Sequence, residues 1–240
     1  MKILDDILTT LRRGEVVMDI CQGPFQTAVL THSCGLAATP HEHSDHQDRT
    51  PVAGAGDLIG KEALDIAKMA YSSSHFEAAI GMAAVNSLLD VSEECCVELN
   101  ASSLLAEKGS GKRVALVGHF PFVEKLRQSV GELWVIELNP REGDLTESEG
   151  QKLIPRADVI GITGTAFTNH TVEHLLSLCR PEAYVVILGG TAPLSSVLFD
   201  YGVDAISGTR VIDPEAVFRG VSQGATFRQL KGIRLLTLQK

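Results

Sequence analysis

The stretch that decides the fold is residues 157–176, ADVIGITGTAFTNHTVEHLL. It begins as a short apolar run typical of a fully buried strand, and it then breaks at the small-residue turn Thr163-Gly164-Thr165. Helical spacing restarts after Asn169, a residue type suited to capping a helix. A strand, a glycine-bearing turn and a helix N-terminus together let backbone N–H groups face an anion. Open α/β sheets bind ligands at the carboxyl ends of their strands, so this stretch predicts a binding crevice.

Outward from this stretch, the second half of the chain alternates short apolar segments with helical ones. The predicted strands are 114–117, 133–136, 159–162, 184–188 and 205–207. The predicted helices are 121–128, 147–155, 171–179, 194–200 and 214–224. This alternation predicts a parallel, doubly wound sheet that is buried on both faces.

The first half has a different texture, with more helix than strand. The predicted helices are 3–11, 58–71, 74–89 and 102–107, and the predicted strands are 15–20 and 26–31. Residues 32–56 lose apolar periodicity and are predicted to form a long loop. The Gly/Ser/Lys stretch at 108–112 is the clearest boundary. We therefore predict a small α+β domain over 1–108 and an α/β domain over 109–240.

Composition limits the classes of function. The 240 residues are 44% hydrophobic and 21% charged, as in an ordinary soluble globular protein. A net charge of -9 disfavours nucleic acid and anionic membrane surfaces as partners, and no segment approaches the roughly 20 apolar residues of a membrane helix. Five scattered cysteines favour reduced thiols, so we predict a cytoplasmic protein. A homodimer is the commonest default for its oligomeric state.

Small-residue turns follow the predicted strands of the second half, and a parallel sheet brings them to one edge. None matches the dinucleotide pattern G-x-G-x-x-G or the NTP-binding phosphate loop. Tight turns that serve only the fold are the alternative, but several on one edge favour a pocket. Glu137 lies just at a strand end and is the preferred polar anchor or general base. The predicted ligand-binding residues are Gly118, His119, Pro121, Asn139, Thr163, Gly164, Thr165, Asn169, Gly189, Gly190 and Thr191.

A cluster of potential metal ligands lies in the predicted loop. His41, His43 and His46 fall close together, with His32 and Cys34 upstream. Neutral imidazole and thiolate suit Zn²⁺, Ni²⁺ and Co²⁺, and H-x-H puts two rings on one side of an extended chain. A solvated polar loop that happens to hold histidines is the other interpretation, and the sequence leaves both open. A structural zinc site is disfavoured, because the chain has no C-x-x-C pair.

A second histidine pattern, His170-Thr171-Val172-Glu173-His174, has the form H-x-x-E-H of inverted zinc peptidases. Two histidines four residues apart share one face of a helix. However, no third ligand can be assigned, so we interpret this match as chance.

Several short motifs in a fixed order resemble a family of small bacterial and archaeal proteins described as heavy-metal chelation proteins. The motifs are 117–121, 137–140, 162–171, 188–193 and 202–208, with 35–37 and 80–87 in the first half. The resemblance covers nearly the whole chain. It implies an N-terminal domain similar to the small cap domain of enolases, a Rossmann-like C-terminal domain and a site between them. It also leads us to expect glycine at position 170, where this chain has His170.

These observations predict a two-domain α/β protein that binds a divalent metal ion, or a small metal-chelating anion, in the cleft between its domains. Zn²⁺, Ni²⁺ and Co²⁺ are the candidate metals. The rival hypothesis is an enzyme of lyase or group-transfer type that acts on a small phosphorylated or pterin-like molecule, with Glu137 as base. A purely structural subunit is the third.

Overall fold

The computed structural model describes residues 1–40 and 51–240. The helices are α1 (Lys2–Thr10), α2 (Ala63–Ala67), α3 (His75–Leu88), α4 (Ala101–Gly109), α5 (Val123–Arg127), α6 (Glu147–Leu153), α7 (Val172–Leu178) and α8 (Pro214–Ser222). The strands are β1 (Asp19–Gln22), β2 (Gln26–Leu30), β3 (Cys34–Ala38), β4 (Cys96–Val97), β5 (Arg113–Val117), β6 (Glu132–Ile136), β7 (Val159–Thr163), β8 (Tyr184–Leu188), β9 (Ala205–Val211) and β10 (Ile233–Gln239). Within the described ranges, no helix is both long enough and apolar enough to cross a bilayer.

The first half forms a three-stranded antiparallel sheet in the order β1-β2-β3, covered by α3. The predicted loop over 32–56 is wrong at its start, because residues 34–38 form β3. This strand is rich in small residues and contains none of the β-branched residues that mark strands in a sequence. The small residues have a packing role, since a Cβ at Gly35 would lie 2.1 Å from the Ala83 carbonyl oxygen of α3.

Other predictions in the first half need correction. The predicted strand 15–20 forms its ladder only from Asp19. The predicted helix 58–71 is shorter, with α2 passing into a 3₁₀ turn over Lys68–Tyr71. This turn packs closely against α3, since a Cβ at Gly81 would lie 1.9 Å from the Ala70 nitrogen.

The second half forms a seven-stranded sheet in the order β4-β10-β9-β8-β7-β5-β6. The strands β5 to β9 are parallel, as predicted, whereas β10 and β4 are antiparallel additions that the sequence did not predict. From β5 the chain moves to β6 on one side and returns to β7 on the other. The carboxyl ends of β5 and β7 therefore form a topological switch point, where open α/β sheets bind ligands.

The entry to α7 differs from the prediction. Asn169 does not cap this helix, which begins at Val172 after the N-cap Thr171. The Asn169 Oδ1 atom instead accepts hydrogen bonds from the Thr171 N–H at 3.2 Å and the Thr171 hydroxyl at 2.7 Å. A 3₁₀ turn over Gly164–Ala166 separates β7 from this Asn169 turn. The predicted helix 194–200 is likewise a 3₁₀ helix, Ser196–Tyr201.

Polar contacts join the two halves beside the switch point. The Ala38 N–H at the end of β3 donates to Thr191 Oγ1 at 2.9 Å. The Asn86 amide of α3 donates to the Leu36 carbonyl at 2.8 Å and to the Thr191 carbonyl at 3.2 Å. The turn after β8 is therefore attached to both β3 and α3. The domain boundary at residue 108 stays a prediction, although β4 already belongs to the second sheet.

Candidate functional site

Two cavities open at the carboxyl edge of the parallel strands. The first, of about 260 Å³, lies at the ends of β5, β6 and β7, and we call it the His119 cavity. The second, of about 490 Å³, lies at the ends of β7 and β8 beside β9, and it also receives Gln26 and Ala38 from the first half. We call it the Gln26 cavity. Phe120, Thr163 and Thr165 line both cavities and form their shared rim.

The rim depends on close backbone approach at the switch point. Gly118 has φ +106, and a Cβ there would lie 3.0 Å from the Thr163 Cβ. Gly164 is packed more tightly, since its Cβ would lie 2.3 Å from the Ala192 nitrogen. The hydroxyls of Thr163 and Thr165 are 3.0 Å apart and hydrogen-bonded. The predicted glycines at these positions therefore shape the rim by allowing close packing.

Glu137 links the ends of β5 and β6. Its Oε1 atom accepts from the His119 N–H at 2.7 Å, and its Oε2 atom accepts from the Leu138 N–H at 3.0 Å. The side chain also lines the His119 cavity. Each carboxylate oxygen thus holds a backbone amide and keeps lone pairs for a further partner.

A histidine–aspartate pair stands beside Glu137. The His119 Nδ1 atom lies 2.9 Å and 3.1 Å from the two carboxylate oxygens of Asp144. The Asp144 side chain is 2% exposed and also accepts from the Arg141 N–H at 3.1 Å. Sequence reasoning missed Asp144, which lies in a polar turn beyond any predicted strand. The Gly143-Asp144 pair is typical of a turn, so it indicated local structure and did not mark Asp144 as a functional residue.

The Gln26 cavity contains buried polar atoms without partners. Gln26 is 6% exposed and pairs with Ala38 across β2 and β3, and its Oε1 atom has no hydrogen-bond partner among the described residues. The Thr209 hydroxyl, which also lines the cavity, likewise has no hydrogen-bond partner among the described residues. Native proteins pair nearly all such groups, so unpaired ones need an explanation. Gln26 opens the predicted strand 26–31, but nothing in the sequence marked it as buried.

Charge in the Gln26 cavity comes from one side chain. The exposed Arg228 is the only charged residue that lines it among those described. The aromatic ring of Phe227 closes the wall, and a Cβ at Gly190 would lie 2.8 Å from that ring. Neighbouring Gly189 has φ +112, a conformation that favours glycine.

The other predicted ligand-binding residues are divided between these cavities. Asn169 lines the His119 cavity. The Gln26 cavity takes Pro121, Gly189, Gly190 and Thr191. Asn139 is exposed and is not part of the lining of either cavity among the described residues.

The histidine pattern at 170–174 does not form a metal site. The His170 Nε2 atom pairs with the Ala70 carbonyl at 2.9 Å, and Glu173 Oε1 accepts from the Ile3 N–H at 2.8 Å. His170 has φ +60, which explains why a glycine is expected there. His174 is exposed and lines the His119 cavity.

The predicted metal ligands His41, His43 and His46 lie outside the described residues. Upstream of them, burial first and the charge of Asp19 second raise the pKa of the Cys34 thiol to about 12, so it stays protonated at neutral pH and is a poor ligand. His32 lies 3.9 Å from Glu15 and from Asp90, away from both cavities. Across residues 1–40 and 51–240, no group of three or more His, Cys, Asp or Glu side chains is placed to hold a metal ion.

Two family models match this chain. The DUF364 model covers residues 100–239 and the DUF4213 model covers residues 4–89, both described as "putative heavy-metal chelation". This chain belongs to the DUF364 family. An uncharacterised protein of Methanocaldococcus jannaschii is 28% identical over 164 residues, which is 65% of this chain and 62% of that protein.

Crystal structures of two DUF364 proteins of unknown function have the same fold. The protein from Desulfitobacterium hafniense superposes with a TM-score of 0.85 at 26% identity, over 100% of this chain and 97% of the other. The protein from Pyrococcus horikoshii superposes with a TM-score of 0.81 at 19% identity, over 100% and 98% of the two chains. The predicted family and the α/β fold of two sheets are confirmed. The likenesses to the enolase cap domain and to a Rossmann domain stay predictions.

Proposed function

We propose that this DUF364 protein binds a small anionic ligand, one able to chelate a divalent transition-metal ion, in the Gln26 cavity between its two halves. The observation that carries the proposal is the Gln26 side chain, 6% exposed, with an oxygen that has no partner among the described residues. A buried acceptor in this state costs about 1–3 kcal/mol. A ligand that brings an O–H or N–H group recovers part of that cost.

The charges of the cavity support an anion. Arg228 offers a guanidinium that pairs well with carboxylate or phosphate, and no Asp or Glu among the described residues lines the same cavity. Thr191 Oγ1 accepts from the Ala38 N–H, which leaves its own hydroxyl hydrogen to donate to a ligand.

The family description supports a metal ion as cargo, and Ni²⁺, Co²⁺ and Zn²⁺ are the ions we propose. Two histidines and two glutamates line the adjoining His119 cavity, and imidazole and carboxylate are donor types that such ions accept, although no three of these side chains are placed around one ion among the described residues. We also keep the proposal that His41, His43 and His46 contribute ligands. In sequence, this cluster begins three residues after Ala38, which lines the Gln26 cavity.

Isothermal titration with citrate, alone and with Ni²⁺, Co²⁺ or Zn²⁺, tests the proposal. We expect Arg228→Gln and Gln26→Leu each to weaken binding by about tenfold or more, because each removes a hydrogen bond to a charged or buried group. Arg13→Gln and Gln128→Leu are the matched controls, since both residues are exposed and line neither cavity. Equal affinity in all four variants, or no binding of citrate in any form, would refute this proposal.

The second candidate is an enzyme of lyase or group-transfer type that acts on a small phosphorylated or pterin-like molecule. The observation in its favour is that Glu137 lines a cavity at the switch point beside the His119–Asp144 pair. Mass spectrometry of ligands released on denaturation would name a substrate. Turnover of that substrate that is unchanged by Glu137→Gln would exclude Glu137 as the base.

A further inference from the structure

The two cavities carry opposite charges on either side of one rim. Among the described residues, two glutamates and two histidines line the His119 cavity, with no Lys or Arg. The Gln26 cavity has Arg228 and no Asp or Glu. A ligand lying across Phe120 and Thr163 therefore meets carboxylates and imidazoles at one end and a guanidinium at the other. An anionic chelator that carries a metal cation has the matching polarity.

His119 is oriented as a metal-binding imidazole. Its Nδ1 atom pairs with the buried carboxylate of Asp144, so the neutral ring keeps its proton on Nδ1 and its lone pair on Nε2. The Nε2 atom has no hydrogen-bond partner among the described residues, and the side chain lines the cavity. Metal-binding histidines commonly donate their second N–H to a carboxylate in this manner.

One imidazole does not retain a bare ion. Structural and catalytic zinc sites use three or four protein ligands, and no such group lies within residues 1–40 and 51–240. The other coordination positions must then be filled by the chelator. We propose that the metal enters as a preformed anionic chelate, and that His119 Nε2 replaces a water molecule on the metal while Asp144 positions the ring. This inference rests on the proposed function of the Gln26 cavity.

Copper(II)–nitrilotriacetate is a suitable probe, because it is anionic and keeps an equatorial position that takes an imidazole. The full-length protein with His41, His43 and His46 all changed to Ala is titrated with this chelate. Pulsed EPR of frozen samples then detects the remote nitrogen of a coordinated imidazole. His119→Gln is compared with His32→Gln, whose ring has a similar exposure, 20% against 23%, and lies outside both cavities.

We expect an imidazole signal in the starting protein and in His32→Gln, and none in His119→Gln. Asp144→Asn retains an acceptor for Nδ1 but removes its charge. It should weaken chelate binding by about 10- to 100-fold and shift the remote-nitrogen frequencies, which a merely structural role would leave unchanged.

The outcomes separate this inference from the proposed function. Binding that depends on Arg228 but gives no imidazole signal would overturn the role of His119 and leave the anion site intact. A signal that survives His119→Gln, or that is lost only with His174→Gln, would also overturn it. No binding of the chelate by the starting protein, or a signal only while His41, His43 and His46 are present, would overturn the inference as well.

Discussion

The Gln26 cavity and the His119 cavity share a rim but differ in origin. Among the described residues, only residues of the second half line the His119 cavity, and hydrogen bonds hold its Glu137 and His119 side chains in place. The Gln26 cavity needs both halves, and it contains side-chain atoms that have no partner. The difference teaches that one sheet edge can hold a preorganised group, His119, next to a cavity whose buried polar atoms have no partner among the described residues.

The largest expected effect comes from the rim that joins the cavities. Gly164→Val should lower the free energy of unfolding by about 3 kcal/mol, because the new Cβ would lie 2.3 Å from the Ala192 nitrogen. Urea unfolding measures this, and ligand binding to both cavities should weaken together.

Gly220→Ala is the control for that prediction. Its Cβ would meet two side-chain atoms, of Leu230 at 3.0 Å and of Ala225 at 3.5 Å, and no backbone, and alanine favours the helix α8. If Gly164→Val is as stable as Gly220→Ala, the rim is not the tightly packed element described above.

The next largest effect is expected from a comparison of two buried side-chain amides, one that donates hydrogen bonds to backbone carbonyls and one that does not. Asn86 and Gln26 each have an oxygen without a partner, but only the Asn86 amide donates two hydrogen bonds to backbone carbonyls. Asn86→Leu should lower the free energy of unfolding by about 2 kcal/mol, because it removes the hydrogen bonds that two buried backbone carbonyls accept. Gln26→Leu should raise it by about 1 kcal/mol, because it removes a buried polar atom that has no partner.

Chemical denaturation of both variants without ligand tests this pair. If Gln26→Leu is more stable but binds its ligand poorly, then Gln26 serves ligand binding at a cost in stability. A destabilised one would mean that Gln26 supports the fold, and the contrast between the two cavities would be lost.

The smallest effect is expected at the edge of the parallel sheet that lies opposite the cavities. At the edge away from the cavities, Arg113 makes two side-chain hydrogen bonds of 3.1 Å to Asp158, and Arg180 also pairs with this carboxylate. The hydrogen bonds from Arg113 are the largest cause of the lowered pKa of Asp158. A lowered pKa in the folded state stabilises the protein above the unfolded value of about 3.9, and this stability is lost as the pH falls below it.

We therefore expect Asp158→Asn to cost about 1 kcal/mol at pH 7, a modest figure because solvent reaches Arg113, and to cost much less near pH 2. Urea unfolding at both values measures the change. Asp57→Asn, at an exposed position, is the control. A cost that does not depend on pH would show that this edge is not held by the charge of Asp158.

The parallel strands were predictable because each is buried on both faces and reads as a continuous apolar run. The predicted strand 184–188 coincides with β8, and 114–117 falls short of β5 by one residue. The strand β3 was missed because its small residues serve the packing of α3, which local propensity does not report. The turns were identified for the same reason as the strands, since each lies where an apolar run stops.

The partners within the site could not be found in this way. His119 meets Glu137 and Asp144, which lie 18 and 25 residues further along the chain, and Ala38 meets Thr191 across 153 residues. Nothing local in the sequence distinguishes Asp144 or Gln26 from other polar residues. The predicted helix start at Asn169 was wrong for a related reason. The Asn169 side chain accepts a hydrogen bond from Thr171 and completes a turn there, so it does not cap the helix.

The amino-acid sequence by itself determined which segments become buried strands and which turns end them, because burial on both faces and turn chemistry are local properties of the chain. Only the tertiary structure decided which carboxylate orients His119 and which amide oxygen stays without a partner at the junction of the two halves. Those outcomes depend on how distant segments pack together, and packing at that range leaves no local pattern in a sequence.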